Sequence, residues 1–292
     1  MDFKTLEAVI WIHRLGSFRA ATDRMNTTQP ALSHRIQQLE LDLGVSLFLR
    51  QRPKVTLTEP GREFLRYAEQ ILELRSLMIT AVGGKIAQAG VLRLGAIETV
   101  VHTWLPTFVG RMAEEFPRLE LEIEVDDSPT LKARLSSFEL DLVFVAGAFD
   151  DALGRGVPLS TTPVIFVRAS TFVLSDRPTL KDLAGCPIVT FSRTSQLHPI
   201  IHDLFAGLDV PRPRLHTSSS MATILRMALD GIGVALVPAA IVTQQLQSGE
   251  LIAIDVPAPL PTLAIWAVWL RASGSEIAMQ AATLASQIAQ GR

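Results

Sequence analysis

The sequence predicts an α + α/β chain: an N-terminal winged helix-turn-helix with a long linker helix, then a larger α/β part made of two similar halves. Three observations carry this. Residues 1–58 read as three short helices and a basic hairpin, each with its own start and stop residues. A helical pattern of roughly 25 residues with no interior breaker follows. From Val91 onward, apolar runs alternate with amphipathic helices, which is the pattern of βαβ units on a largely parallel sheet.

At 292 residues and 48% hydrophobic content, the chain is expected to form two or three domains. No apolar run reaches the roughly 18 residues that span a bilayer, and Met1-Asp2-Phe3-Lys4 opens no secretory signal. A cytoplasmic location and no membrane partner are therefore expected. The single cysteine, Cys186, can form neither an intramolecular disulfide nor a Cys-based zinc site and reads as a small buried hydrophobe. The net charge of −2 hides an asymmetry. Residues 1–89 carry 12 Lys+Arg against 9 Asp+Glu, and residues 90–292 carry 15 against 20. A mildly basic N-terminal part suits phosphate contact.

Leu6, Val9, Ile10 and His13 mark one face of a first helix that Gly16 ends, and Ser17 caps a second from Phe18 to Met25. Residues 28–40 form the third. Thr28 is its cap, Pro30 fits the first turn, and Gly44 stops it. Ala31, Leu32, Ile36 and Leu39 are expected to face a core, leaving Gln29, Ser33, His34 and Gln37 outward. Amide, hydroxyl and basic groups at a helix N-terminus suit reading base edges in a major groove; a solvated face is the alternative. Next come two short strands, 45–50 and 55–58, around a turn with Arg50, Arg52 and Lys54. This is either a wing touching phosphate or minor groove, or an ordinary solvated hairpin tip. Thr58 caps the long helix, and Phe64, Ile71 and Met78 recur every seven residues beside Leu65, Leu72 and Ile79. So broad an apolar stripe needs a partner, and a coiled-coil-like dimer is expected.

Ser17-Phe18-Arg19-Ala20-Ala21, Thr28-Gln29-Pro30-Ala31-Leu32-Ser33, Ile36-Gln37-Gln38-Leu39-Glu40, Leu43-Gly44-Val45-Ser46-Leu47-Phe48 and Leu57-Thr58-Glu59-Pro60-Gly61 stand in the order and spacing of one family. Together they resemble the N-terminal signature of the LysR-type transcriptional regulators. The resemblance implies a winged helix-turn-helix at 1–58, a dimerising linker helix and hinge at 59–89, and an effector-binding domain at 90–292. That domain would be a two-lobed periplasmic-binding-protein-like α/β fold, with one lobe at about 90–161 and 268–292 and the other at about 162–267. It also implies double-stranded operator DNA as partner and a tetramer built as a dimer of dimers. By the same resemblance Gln29, Pro30, Ser33 and His34 approach bases, while Thr28, Arg35, Arg50 and Arg52 approach the backbone. Two positions depart from the family. His34 stands where Arg is usual, so its contact is weaker or pH-dependent; Pro60 replaces Ala in a first turn, harmlessly.

In the C-terminal part, strands are expected at 91–97, Leu119–Val125, 141–146, 164–167, 187–191, 212–217, 234–237 and 263–270. Helices are expected at 104–116, Ser128–Ser136, 197–205, Met221–Leu229 and 275–290. Ligands of open α/β sheets bind beyond the carboxyl ends of strands. Glu98-Thr99-Val100-Val101-His102, Ser128-Pro129, Phe144-Val145-Ala146-Gly147, Phe191-Ser192-Arg193-Thr194-Ser195 and Thr217-Ser218-Ser219 fall there. The expected effector-binding residues are Thr99, Val100, Ser128, Val145, Ser192, Arg193, Thr194 and Ser218. Hydroxyls near helix N-termini favour an anion, such as a small organic or aromatic acid, although each hydroxyl can equally be a helix cap.

No cofactor and no catalytic residue are expected. His102, His198 and His216 lack metal-ligand spacing, and Gly231-Ile232-Gly233 lacks the full dinucleotide fingerprint. A solute-binding or enzymatic α/β module with a vestigial helix-turn-helix is the alternative, which a catalytic constellation would favour; none is visible.

Overall fold

The computed structural model describes residues 2–25, 27–49, 55–83, 90–149, 154–175, 177–207, 209–210, 212–270 and 275–291. The chain divides into two compact units: residues 1–88 with 270–279, and residues 89–269 with 280–292.

The first unit opens with α1 (Phe3–Leu15), α2 (Phe18–Arg24) and α3 (Gln29–Leu43). Each starts where a side-chain oxygen takes an orphan N–H: Asp2 from Thr5 at 2.8 Å, Ser17 from Ala20 and Thr28 from Ala31, both at 3.4 Å. Gly16 and Gly44 end α1 and α3 in the left-handed conformation that only glycine adopts freely (φ 62° and 70°). A two-stranded hairpin, β1 (Phe48–Leu49) with β2 (Thr56–Leu57), forms the wing, and α4 (Glu59–Gly83) follows. Thr58 starts α4 by accepting from Gly61 N–H at 3.0 Å. Gly61 has no room for a Cβ, which would meet the Leu47 carbonyl oxygen. The expected helices and wing are thus present, although Ala31 is exposed rather than turned inward.

The broad stripe of α4 resolves into two. Ala68 and Leu72, flanked by Phe64 and Leu65, pack on Leu6 and Ile10 of α1. Arg14 and Glu69 join the same pair of helices at 2.7 Å. Tyr67, Ile71, Leu74 and Met78, spaced by four, three and four residues, remain exposed.

The second unit is built on nine strands among the described residues. It runs β3 (Gly90–Ala96), α5 (Glu98–Val101), α6 (Leu105–Glu115), β4 (Leu119–Val125), α7 (Ser128–Ser136), β5 (Leu142–Ala146) and β6 (Arg155–Ala169). Then come α8 (Leu180–Ala184), β7 (Ile188–Phe191), α9 (Leu197–Leu204), β8 (Leu215–Ser218), α10 (Met221–Leu229) and β9 (Val234–Pro238). It ends with α11 (Thr243–Ser248), β10 (Leu251–Ile254), β11 (Thr262–Trp269) and the part of α12 (Ser275–Ala289) from residue 280 onward. The strand order is β4-β3-β5-β11-β6-β9-β7-β8, with β10 on β6. β3 is parallel to β4 and β5 in one half, and β7 is parallel to β8 and β9 in the other. β5, β7 and β9 are buried at every position, as strands covered on both faces must be.

β6 serves both halves. Its first nine residues pair with β11 and the rest with β9 and β10. Only residues 164–167 of it were expected to be strand, because Pro158 and Pro163 break the sequence pattern. Pro158 sits at an irregularity: Ile265 faces Ser160 but Trp266 faces Pro158, leaving Leu159 as an extra residue. The short α5, α8, α11 and β10 were also not expected, and β8 starts at Leu215 rather than 212, after Pro213.

Candidate functional site

Two surfaces hold the chemistry singled out in the sequence. The first is the outward side of α3. Leu32, Ile36 and Leu39 are buried, which fixes the rotation of the helix and turns Thr28, Gln29, Pro30, His34 and Gln37 to solvent. Ser33 and Arg35 are half-buried. Arg35 and His34 border a groove with Asp2, Ala31, Gln38 and Asp42, and the Arg35 charge helps hold the Asp2 carboxyl below its ordinary pKa. The larger causes are the hydroxyl and N–H of Thr5. Arg50, Arg52 and Lys54 lie outside the described residues. Glu40, unremarked in the sequence beyond its place in a motif, accepts from the N–H groups of Leu47 and Phe48 at 2.6 and 3.2 Å and so ties α3 to the wing.

The second surface is a cavity of 360 Å³ within the second unit, at the low end for small-molecule sites. It lies at the carboxyl ends of β3, β4, β5, β7 and β8. Its walls are Ile97-Glu98-Thr99, Val125-Asp126-Asp127-Ser128-Pro129, Ala146, Phe191-Ser192, Ser195-Gln196-Leu197, Ser219-Ser220 and Leu263. Two polar bonds cross between the two halves beside it. Gln196 Nε2 donates to the Ala146 carbonyl at 2.7 Å, and Met221 N–H donates to Glu98 Oε1 at 3.3 Å. Gly147 permits the first of these: at φ 105°, a Cβ there would collide with the Gln196 amide.

Of the eight residues expected to hold an effector, Thr99, Ser128 and Ser192 line the cavity. Val100 and Val145 are buried in the core, while Arg193 and Thr194 are exposed and Ser218 half-buried, all outside its walls. Their hydroxyls have local work. Ser128 Oγ accepts from Ala146 N–H at 3.0 Å, Ser192 pairs with Thr194 at 3.0 Å, and Ser218 accepts from Ser220 N–H at 3.1 Å. The cavity instead carries Glu98, Asp126 and Asp127, and no Lys, Arg or His lines it among the described residues. Glu98 Oε2 also meets His102 Nε2 at 3.0 Å. For Asp127, burial raises the pKa, but the Thr194 hydroxyl and the N–H and hydroxyl of Thr130 outweigh it and hold the carboxyl below its ordinary value. Asp126 and Asp127 directly follow the alternating strand Leu119–Val125, and Asp127 caps α7.

Among the described residues no group of three or more His, Cys, Asp or Glu side chains is placed to hold a metal. His102 serves Glu98, and His198 packs edge-on against His202 at 5.7 Å. Cys186 is half-buried rather than buried, its Sγ 3.3 Å from the Asp182 carbonyl. No helix among the described residues is long and apolar enough to cross a membrane.

Residues 3–62 match the bacterial regulatory helix-turn-helix protein, lysR family, and residues 86–284 match the LysR substrate binding domain. The chain belongs to the LysR family. Among its relatives, the HTH-type transcriptional regulator IlvR of Caulobacter vibrioides is 30% identical over 283 residues, 93% of each chain. Full-length OxyR from Pseudomonas aeruginosa has a TM-score of 0.63 at 22% identity, covering 99% of this chain and 95% of that one. Full-length LysG from Corynebacterium glutamicum, with its effector Arg bound, has a TM-score of 0.63 at 20% identity and covers 98% of each. These structures share the fold: an N-terminal helix-turn-helix followed by a two-lobed α/β domain. This LysR chain is therefore a DNA-binding transcriptional regulator with an effector-binding domain. Its relatives are named as regulators, which sets the enzymatic alternative aside.

Proposed function

We propose that this LysR regulator reads a specific operator with α3 and is controlled by a small molecule held in the cavity between the two lobes. The observation that carries the proposal is the cavity at the carboxyl ends of five strands, walled by both lobes and crossed by polar bonds that an occupant can strengthen or break. A ligand that prefers the closed arrangement shifts the population toward it, and lobe movement then changes how subunits pair on DNA.

Gln29, Pro30, Ser33 and His34 are the proposed base contacts, and Thr28, Arg35, Arg50 and Arg52 the backbone contacts. Exposure of Gln29 and His34 on α3 supports this. The proposed divisions are 1–58, 59–89 and 90–292, and the proposed setting is cytoplasmic. Self-association into a dimer, and then a dimer of dimers, is supported by the exposed Tyr67-Ile71-Leu74-Met78 stripe of α4.

The test is footprinting of the DNA upstream of the protein's own gene, alone and with each compound that raises its melting temperature in a metabolite screen. A discrete footprint that one of those compounds alters is the expected result. Binding that is independent of sequence, or a footprint that no stabilising compound changes, would overturn the proposal.

A further inference from the structure

We infer that the occupant of the inter-lobe cavity carries a protonated amine, not a lone carboxylate. This rests on the reading that the cavity holds the effector, and it replaces the organic acid expected from the hydroxyls. Three features lead to it.

The first is charge. Glu98, Asp126 and Asp127 line the walls, with no cationic side chain among the described lining residues. His102 meets only the Oε2 side of Glu98, and Arg193 is exposed outside the walls. A lone anion entering would be desolvated beside two or three like charges, which costs more than hydroxyl contacts return.

The second is prior occupation of the anion positions. An anion would use the N–H groups at the starts of α7 and α10. Three of those groups already serve the chain's own carboxylates and hydroxyls. Thr130 N–H donates to Asp127 Oδ1 at 2.9 Å, Met221 N–H to Glu98 Oε1 at 3.3 Å, and Thr223 N–H to Ser220 Oγ at 3.4 Å. An incoming carboxylate would have to displace a tethered one.

The third is the state of Asp126. It is exposed, and its Oδ1 accepts from the adjacent N–H of Asp127 at 2.8 Å. An ammonium bridging Asp126 and Asp127 would meet two carboxylates at the cavity wall with charge-assisted hydrogen bonds. The apolar Ile97, Val125, Phe191, Leu197 and Leu263 then suit a hydrocarbon body behind the amine.

The experiment is calorimetric titration of the full-length protein with matched probes: benzylamine against benzoate, and putrescine against succinate. Binding of an amine and not of its matched acid is expected. Asp126→Asn should weaken that binding about tenfold, the loss of one charge-assisted hydrogen bond. Asp126 caps no helix, so this variant should melt as the parent does; Glu98→Gln is the second variant, at the other wall. The inference falls if an acid binds in place of its amine. It also falls if amine binding is the same in both variants, or if none of the four probes binds at millimolar concentration. A bound acid that alters the operator footprint would remove this inference and leave effector control standing. Amine binding that never alters the footprint would do the reverse.

Discussion

Glu40 Oε1 accepts two successive backbone N–H groups, from Leu47 at 2.6 Å and Phe48 at 3.2 Å. One carboxylate in the last turns of α3 thereby sets where the chain enters the wing. It also satisfies the N–H of Phe48, the first residue of β1, and that of Leu47 just before it.

Replacing Glu40 therefore acts on fold and on DNA binding together. Glu40→Ala should destabilise the helix-turn-helix by about 2–3 kcal/mol, the worth of a hydrogen bond to a charged group plus a donor left unpaired. Glu40→Gln keeps an acceptor and should cost about half as much. Urea denaturation measures both, and an Ala variant as stable as the parent would show that water replaces the carboxylate.

Gln29 and Arg52 should fail differently. Gln29→Ala is expected to lose about 1–3 kcal/mol of discrimination at one operator position, with binding to unrelated DNA unchanged. Arg52→Ala should weaken all DNA alike and lower the salt slope by about one. His34→Arg should do the opposite, raising affinity and slope together. Salt titrations on operator and scrambled DNA separate the three.

On α4, neighbouring leucines should have opposite phenotypes. Leu72 is buried against Leu6 and Ile10, so Leu72→Ala should cost about 2–5 kcal/mol of stability. Leu74 is 67% exposed, so Leu74→Glu should leave the monomer's stability within about 0.5 kcal/mol. If α4 carries the dimer, Leu74→Glu should shift the sedimenting species to a monomer.

Asp127 should make the second unit acid-sensitive. Its folded pKa lies below the ordinary 3.8, so its contribution is complete above that value and is lost as pH falls through the lowered one. Asp127→Asn still caps α7 and should flatten the pH dependence of the melting temperature below pH 4, roughly the ordinary Asp range. Asp127→Ala should lower stability at neutral pH by about 1 kcal/mol.

The first unit was legible because its signals are local. Ser17, Thr28 and Thr58 cap, Gly16 and Gly44 stop, and Leu32, Ile36 and Leu39 repeat at helical spacing. The split of the α4 stripe was not legible, since Ala68 and Leu72 find α1 only through tertiary packing. In the second unit the buried parallel strands β5, β7 and β9 stood out as apolar runs, whereas β6 was hidden by its two prolines. The place of the cavity followed from strand polarity; its chemistry did not. Hydroxyls near helix starts suggested an anion, but whether Ser128 faces a ligand or holds Ala146 N–H depends on a neighbour 18 residues away. The acids at 98, 126 and 127 carry no spacing that marks a ligand site, and Glu98 and Asp127 serve helix N–H groups while also facing the cavity.

The shared strand has a mechanical consequence. β6 spans roughly 50 Å at the usual rise per residue, and with β11 alongside it forms a two-ply ribbon whose ladder is interrupted beside Pro158 and Leu159. A hydrogen-bonded ribbon resists sliding and stretching but flexes most easily where a rung is missing. Opening of the cavity should then be a rotation pivoting near Leu159 rather than a translation of one lobe past the other. A stiffer ribbon, made by deleting Leu159 to restore the register, would act as a splint, slowing ligand entry and exit alike.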